Sequence, residues 1–364
     1  MIILYVTDAF AVWGGMERVL ADKMNYLSEC YGYDVVLMTV NQGEHTIPFS
    51  LNSRIKHIDL GVRLHQQYAY RWIKRYLVHR RLFTQLKDKI WKALQLIDAD
   101  VIVCAKLDFV GVLNDVRGVT PLLVESHTLC RAEYYEKSGL LRRLHIWEYK
   151  RQIKKADAVV ALTDGDAKDW QEYNRNVYVI PNVVYLNETD NYCDCTEKRI
   201  VFVGRYTKQK DFDSLLKIWS LIYSRHQDWT LDIYTDGEIY APGVRFFMPV
   251  ANIMEKYIDS SILLLTSLFE PFGLVLPEAM SCGLPVVSFD CPYGPADIIT
   301  DGVDGFLIKN LDVQAFVDRV CQLIEDKDLR VRMGQAAIKS SQRYRADLIM
   351  PKWKELFESL CRKE

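Results

Sequence analysis

No run of this chain is both long and apolar enough to cross a membrane. Its longest stretch without a charge, Asn176 to Asn187, has twelve residues and contains Pro181, whereas a spanning helix needs about twenty. The start does not fit a secretory signal either. Met1 to Thr7 is apolar but has no basic flank and runs into Asp8 and Gly14-Gly15, so a buried first strand is expected. Cysteine occurs nine times, yet only Cys193 and Cys195 stand close and no Cys-x-x-Cys is found. Neither a disulfide framework nor a zinc site is expected, and the thiols suit a reducing, cytoplasmic compartment. Charge of one sign is not in excess either. Lys plus Arg number 46 against 48 Asp plus Glu, a net −2, which argues against a general nucleic-acid binder. The glycine pattern Gly-x-Gly-x-x-Gly follows neither of the two strands that open the halves described below, which weakens a nicotinamide or flavin dehydrogenase reading.

What is present is an ordinary soluble composition, 49% hydrophobic and 26% charged, over 364 residues. That length predicts two domains. Short β-rich runs alternate with helical-period segments, the signature of repeated βαβ units on parallel sheets. Strands are expected at Ile2 to Thr7, Asp34 to Thr39, Val101 to Ala105, Pro121 to Glu125, Ala158 to Leu162 and Val177 to Ile180. A second set is expected at Ile200 to Gly204, Thr230 to Tyr234, Ile262 to Leu265, Pro285 to Phe289 and Phe306 to Ile308. Between the sets, Tyr185 to Lys198 is polar and aperiodic, which places a linker there. The expected domains are 1–185 and 186–345, with an amphipathic helix in 346–364 returning to the first.

Ligands of parallel sheets bind beyond the carboxyl ends of the strands, so residues just after strands carry the interest. Gly14-Gly15 opens a helix after the first strand. Glycines there admit a phosphate to backbone N–H groups, although a plain flexible turn needs the same residues. Gly204-Arg205 with Lys210 follows the strand at Ile200, where a planar fork and a point charge suit a diphosphate; a solvated loop is the bland alternative. Glu270 and Glu278 bracket Pro-Phe-Gly-Leu-Val-Leu-Pro. With a helix starting near Phe272 they can accept from sugar hydroxyls, or serve only as a helix-dipole acid and a surface acid. His127 follows the strand ending at Glu125, where a structural histidine is the commoner case.

Taken together, Gly14-Gly15-x-Glu17-Arg18, His127, Pro181-Asn182, Gly204-Arg205 with Lys210, and Phe269-Glu270-Pro-Phe-Gly-Leu-x-x-x-Glu278 resemble glycosyltransferase family four. Asp301-Gly302-x-x-Gly305-Phe306 extends the resemblance, which spans nearly the whole chain. It implies the α/β GT-B fold: two Rossmann-like βαβ domains facing each other across a cleft, with a C-terminal helix packing back on the first. It also implies a retaining transfer of a hexose or N-acetylhexosamine from a nucleotide diphosphate sugar, a UDP-sugar first of all. The acceptor would be a glycan or a lipid-pyrophosphate-linked glycan in cell-surface polysaccharide synthesis, of the capsule or O-antigen kind.

By the same resemblance, Arg205 and Lys210 bind the donor diphosphate and Glu278 the ribose. Glu270 with the backbone of Phe272, Gly273 and Leu274 holds the donor sugar. His127 faces that sugar from the first domain, and Gly14-Gly15 approach the diphosphate. The resemblance thus makes His127, Glu270, Arg205 and Lys210 the catalytic candidates. Family members usually carry glycine after the motif lysine, whereas this chain has Asp211, expected to turn away as a helix cap. Three Asp-x-Asp triplets, Asp98/Asp100, Asp164/Asp166 and Asp211/Asp213, sit where strand starts or helix caps are expected. No metal and no cofactor beyond the donor is therefore expected.

One segment departs from charge balance. Val62 to Lys92 holds nine basic residues, Arg71, Lys74, Arg75, Arg80 and Arg81 among them, against the single acid Asp88, with Tyr68, Trp72, Tyr76, Phe83 and Trp91 interleaved. It reads either as a solvated helix whose Trp72, Tyr76 and Phe83 pack inward or, slightly ahead, as a surface for an anionic membrane carrying the acceptor. A sugar-nucleotide epimerase, a phosphorylase or a non-catalytic nucleotide-sugar-binding subunit remain alternatives, separable by their products.

Overall fold

The protein is described from a computed structural model, which covers residues 1–131 and 140–362. Two compact units result, Met1–Val183 with Ile349–Glu364, and Val184–Leu348.

The first unit carries a seven-stranded sheet: β1 (Ile2–Thr7), β2 (Asp34–Thr39), β3 (Lys56–Asp59), β4 (Val101–Cys104), β5 (Leu122–Glu125), β6 (Ala158–Ala161) and β7 (Val177–Val179). Their order is β3-β2-β1-β4-β5-β6-β7 and every pairing is parallel. Helices α1 (Gly15–Cys30), α2 (Trp72–Leu94), α3 (Val110–Val116), α4 (Leu140–Ile153) and α5 (Asp164–Trp170) connect the strands. The second unit repeats the plan with β8 (Arg199–Val203), β9 (Thr230–Tyr234), β10 (Val244–Phe247), β11 (Ile262–Leu265), β12 (Val286–Asp290) and β13 (Gly305–Lys309). Their order is β10-β9-β8-β11-β12-β13, again all parallel. Its helices are α6 (Phe212–Tyr223), α7 (Met254–Ile258), α8 (Val275–Ser281), α9 (Gly294–Ile298), α10 (Val313–Glu325) and α11 (Lys327–Ser341). Helix α12 (Ala346–Cys361) follows.

Both sheets are Rossmann-like, and each reverses its strand order once: between β1 and β4, and between β8 and β11. Such reversals open a crevice at the carboxyl ends of the strands. The sequence misses only β3 and β10, one at the edge of each sheet. Both are short and mostly solvent-facing, so they lack the apolar run that marks a central strand.

The cores explain the helix positions. In α2 the buried residues Leu82, Leu86 and Ile90 recur every four residues and join Val110 and Leu113 of α3 under the first sheet. In α6, Leu215, Ile218, Trp219 and Ile222 meet Phe316, Val317 and Val320 of α10. Full burial of each such side chain contributes about 1.5–3 kcal/mol. From Ile349 on, α12 belongs to the first unit. Its buried Ile349, Met350, Trp353, Leu356, Phe357 and Leu360 form one helical stripe, and Tyr33 donates to Glu358 at 3.4 Å.

The polar segment 185–198 is not loose. Asn187 N–H donates to Ser281 Oγ at 2.9 Å and Cys193 N–H to the Cys282 carbonyl at 2.8 Å, tying it to the end of α8. All nine cysteines are free thiols. Among the described residues no helix is long and apolar enough to cross a membrane.

Candidate active site

At the carboxyl ends of β8 and β11, two loops are laced together. Gln209 Nε2 donates to the Phe269 carbonyl at 2.9 Å, Leu268 N–H to the Gln209 carbonyl at 2.8 Å, and Thr266 Oγ1 to the Lys210 carbonyl at 2.9 Å. These bonds bring Lys210 Nζ to 2.6 Å from Glu270 Oε2, which also accepts from Ser267 Oγ at 3.1 Å. Glu270 is buried. Its carbonyl accepts from the N–H groups of Tyr293 and Gly294, and its own N–H donates to Pro292 at 2.6 Å. A Cβ at Gly294 would stand 1.9 Å from the Phe272 carbonyl, so only glycine lets these two loops meet. Arg205 is exposed on the loop leaving β8.

The helix after Glu270 begins later than its sequence suggests. Gly273 has φ +94 and α8 starts at Val275, not near Phe272. The left-handed turn keeps Phe272, Gly273 and Leu274 out of the helix, so Glu278 falls in the first turn of α8, where it is buried. Asp211 also has a left-handed backbone, φ 48 and ψ 62. That explains why the resemblance expects glycine there. Its carboxylate meanwhile caps α6, accepting from Ser214 N–H at 3.3 Å.

In the first unit, Gly14 is the N-cap of α1, and a Cβ on it would strike the buried Glu17 carboxylate at 2.1 Å. His127 stands just beyond β5. Its Nε2 lies 3.2 Å from Glu125 Oε1, yet no hydrogen bond is formed at that nitrogen. Glu125 Oε1 accepts a short hydrogen bond from Lys23 Nζ of α1, and both partners are 1% exposed. The ammonium sits 3.8 Å from the ring centre of Trp353 and 5.3 Å from that of Tyr5. Burial pushes the Glu125 carboxyl up, but Lys23 and His127 outweigh it and hold the group at about 2. Burial pushes Lys23 down, with Glu125 opposing. Sequence reasoning found His127 but missed Lys23, Glu125 and Trp353, since nothing local announces a pair 102 residues apart.

Asp100, Asp166, Asp301 and Asp304 each hold backbone N–H groups in place. Asp100 accepts from Ile2 N–H at 2.7 Å. Thr163, not Asp164 or Asp166, caps α5. Asp166 instead holds Cys130 N–H at 2.7 Å and Trp170 Nε1 at 2.9 Å, with burial raising its carboxyl to about 6. Asp301 and Asp304 brace the turn before β13 by accepting from Leu307 and Thr300 N–H groups. Among the described residues no group of three or more His, Cys, Asp or Glu side chains is placed to hold a metal ion.

The basic segment forms α2 after a 3-10 turn at Leu64–Ala69. Arg71, Lys74, Arg75, Arg80 and Arg81 are all exposed. Tyr76 does not pack inward: it is 60% exposed, beside Ile73 at 77% and Leu77 at 58%. Phe83 is half-buried against His79, and the Trp72 side chain lies outside what is described.

Comparison with known proteins accounts for both units. The family described as "Glycosyltransferase Family 4" matches residues 13–188, and "Glycosyl transferases group 1" matches residues 197–326. The chain belongs to glycosyltransferase family 4. An amylovoran biosynthesis glycosyltransferase from Erwinia amylovora is 28% identical to this glycosyltransferase over 97% of this chain and 99% of that protein. A poly(ribitol-phosphate) α-N-acetylglucosaminyltransferase from Staphylococcus aureus is 27% identical, over 56% of this chain and 44% of its own. Among solved structures, TarM superimposes with a TM-score of 0.81 at 15% identity, covering 98% of each chain. The pneumococcal O-GlcNAc transferase GtfA, solved with UDP and GlcNAc, gives 0.77 at 15% identity, covering 100% and 99%. These matches identify the fold as GT-B.

Proposed function

We propose that this glycosyltransferase moves a hexose or N-acetylhexosamine from a UDP-sugar to a glycan hydroxyl, with retention and without a metal, in cell-surface polysaccharide synthesis. The observation that carries the donor reading is the Lys210–Glu270 pair with Arg205 at the β8/β11 reversal, a cation pair and a carboxylate where an α/β sheet takes its ligand. Arg205 and Lys210 take the diphosphate charge as the bond from the anomeric carbon to oxygen breaks. Glu270 and the Phe272 to Leu274 backbone hold the sugar, and Glu278 the ribose. The acceptor hydroxyl attacks the same face, its proton passing to the leaving phosphate oxygen. His127 and Gly14-Gly15 belong to the first unit, to which we assign acceptor binding. The named relatives, one an amylovoran biosynthesis glycosyltransferase and one a poly(ribitol-phosphate) α-N-acetylglucosaminyltransferase, support a surface glycan as acceptor.

Exposed Tyr76, Ile73 and Leu77 among five basic side chains support placing α2 on an anionic membrane that presents a lipid-linked acceptor. The deciding experiment incubates the protein with UDP-glucose, UDP-galactose and UDP-N-acetylglucosamine and candidate surface glycans. Free UDP with an α-linked product supports the reading. An altered sugar nucleotide would mean an epimerase, and a folded Arg205→Ala variant of unchanged rate would remove the site assignment. The expected loss is about 2.7–4 kcal/mol of transition-state stabilisation.

A further inference from the structure

At the other strand-order reversal, between β1 and β4, the loop leaving β1 presents a large aromatic that no part of the donor site uses. Trp13 is 75% exposed, in a loop whose neighbouring Phe10 is fully buried. The exposure is built rather than casual. Phe10 is clamped through its backbone by the buried Gln42, whose Oε1 accepts from Phe10 N–H at 2.7 Å and whose Nε2 donates to the Phe10 carbonyl at 3.2 Å. Phe49 then bridges outward, edge-on to Phe10 at 6.5 Å and to Trp13 at 5.0 Å. Three rings thus step from core to solvent and leave the last one uncovered, although burying an indole is strongly favourable.

The polar half of a site lies at the start of the same loop. Asp8 Oδ1 is buried and has no hydrogen-bond partner. Its carboxyl feels Lys106, just after β4, as well as Asp108 and His65. Burial raises it from the ordinary range, with Lys106 and His65 opposing and Asp108 adding to the rise. A carboxylate whose Oδ1 has no protein donor, five residues before an exposed ring on the same loop, has the chemistry of carbohydrate recognition. The C–H face of a pyranose covers the indole while its hydroxyls donate to the acid.

We propose that Trp13, with Asp8, forms a subsite for a pyranose ring of the acceptor glycan. The subsite rests on the glycosyltransferase reading and adds to it the place where the acceptor docks. A lipid surface fits this loop poorly, since Asp8 is the one charged residue between β1 and α1 and no basic side chain precedes Arg18.

The test uses the full chain and the methyl pyranosides of glucose, galactose and N-acetylglucosamine at millimolar concentration, followed by saturation-transfer NMR, with UDP binding measured in parallel. Wild type is expected to bind at least one pyranoside through its ring C–H protons. Trp13→Ala should weaken that binding about tenfold, Trp13→Phe should retain most of it, and Asp8→Asn should weaken it with an altered hydroxyl preference. Unchanged UDP affinity in Trp13→Ala would support a separate acceptor subsite. Loss of UDP binding by wild type would count against the donor reading alone, leaving the pyranoside result to judge Trp13. The proposal is overturned if wild type binds no pyranoside, if Trp13→Ala binds as tightly as wild type, or if the substitution instead abolishes sedimentation with anionic vesicles.

Discussion

Lys23 and Glu125 form an ion pair inside the first unit. Each is almost wholly buried, so removing one strands the other in a low-dielectric setting. Lys23→Met should cost about 3–5 kcal/mol by urea unfolding, whereas the double variant Lys23→Met with Glu125→Met should recover most of that loss. The pair also sets an acid limit. Glu125 is held at about 2 against an ordinary 4.5. Its contribution is therefore fully present above pH 4.5 and fades as the pH falls toward 2. The double variant should lack that part of the acid slope. Asp211 makes the opposite case, a residue whose backbone matters more than its charge. Asp211→Gly relieves the left-handed strain while losing only a cap that glycine replaces within a few tenths of a kcal/mol. Melting should shift little and donor affinity should persist. Asp211→Val should cost about 1–3 kcal/mol.

Helix α2 divides its tasks between two faces. Leu82, Leu86 and Ile90 hold it to the sheet, while its first turns carry exposed basic and apolar side chains together. Replacing Arg71, Lys74, Arg75, Arg80 and Arg81 by Glu should abolish co-sedimentation with anionic liposomes at low salt and leave UDP affinity unchanged. Wild-type binding should itself fade as the Debye length shrinks from about 10 Å at 0.1 M salt to 3 Å at 1 M. Leu86→Ala should do the reverse, costing about 2–5 kcal/mol in stability with liposome binding retained. The helix itself was legible from its periodicity. Which of its aromatics turned inward was not, because Tyr76 and Phe83 are seven residues apart on a helix whose packed stripe starts only near Val78.

Across the chain, central strands and the two-unit plan were readable because buried parallel strands need unbroken apolar runs. The edge strands β3 and β10 were not, since solvent-facing residues carry no such mark. In the site, motif residues such as Lys210 and Glu270 were legible, and their pairing at 2.6 Å depends on two loops meeting across 60 residues. Excess EDTA is expected to leave most sugar transfer intact, measured as UDP release. Complete loss restored by Mg²⁺ would show that Arg205 and Lys210 do not suffice. Helix α12 has a consequence in time as well as in space. The Lys23 ammonium is covered by the ring of Trp353, a residue translated only after all of Val184–Leu348. At about 5–20 residues per second, that interval lasts roughly 10–30 s. Throughout it the emerging first unit carries a buried-type ion pair without its cover. A chain truncated after Leu348 and released from the ribosome has every element of the second unit but lacks α12 from Ile349 on, and it should show a protease-resistant second unit beside a cleavable first one.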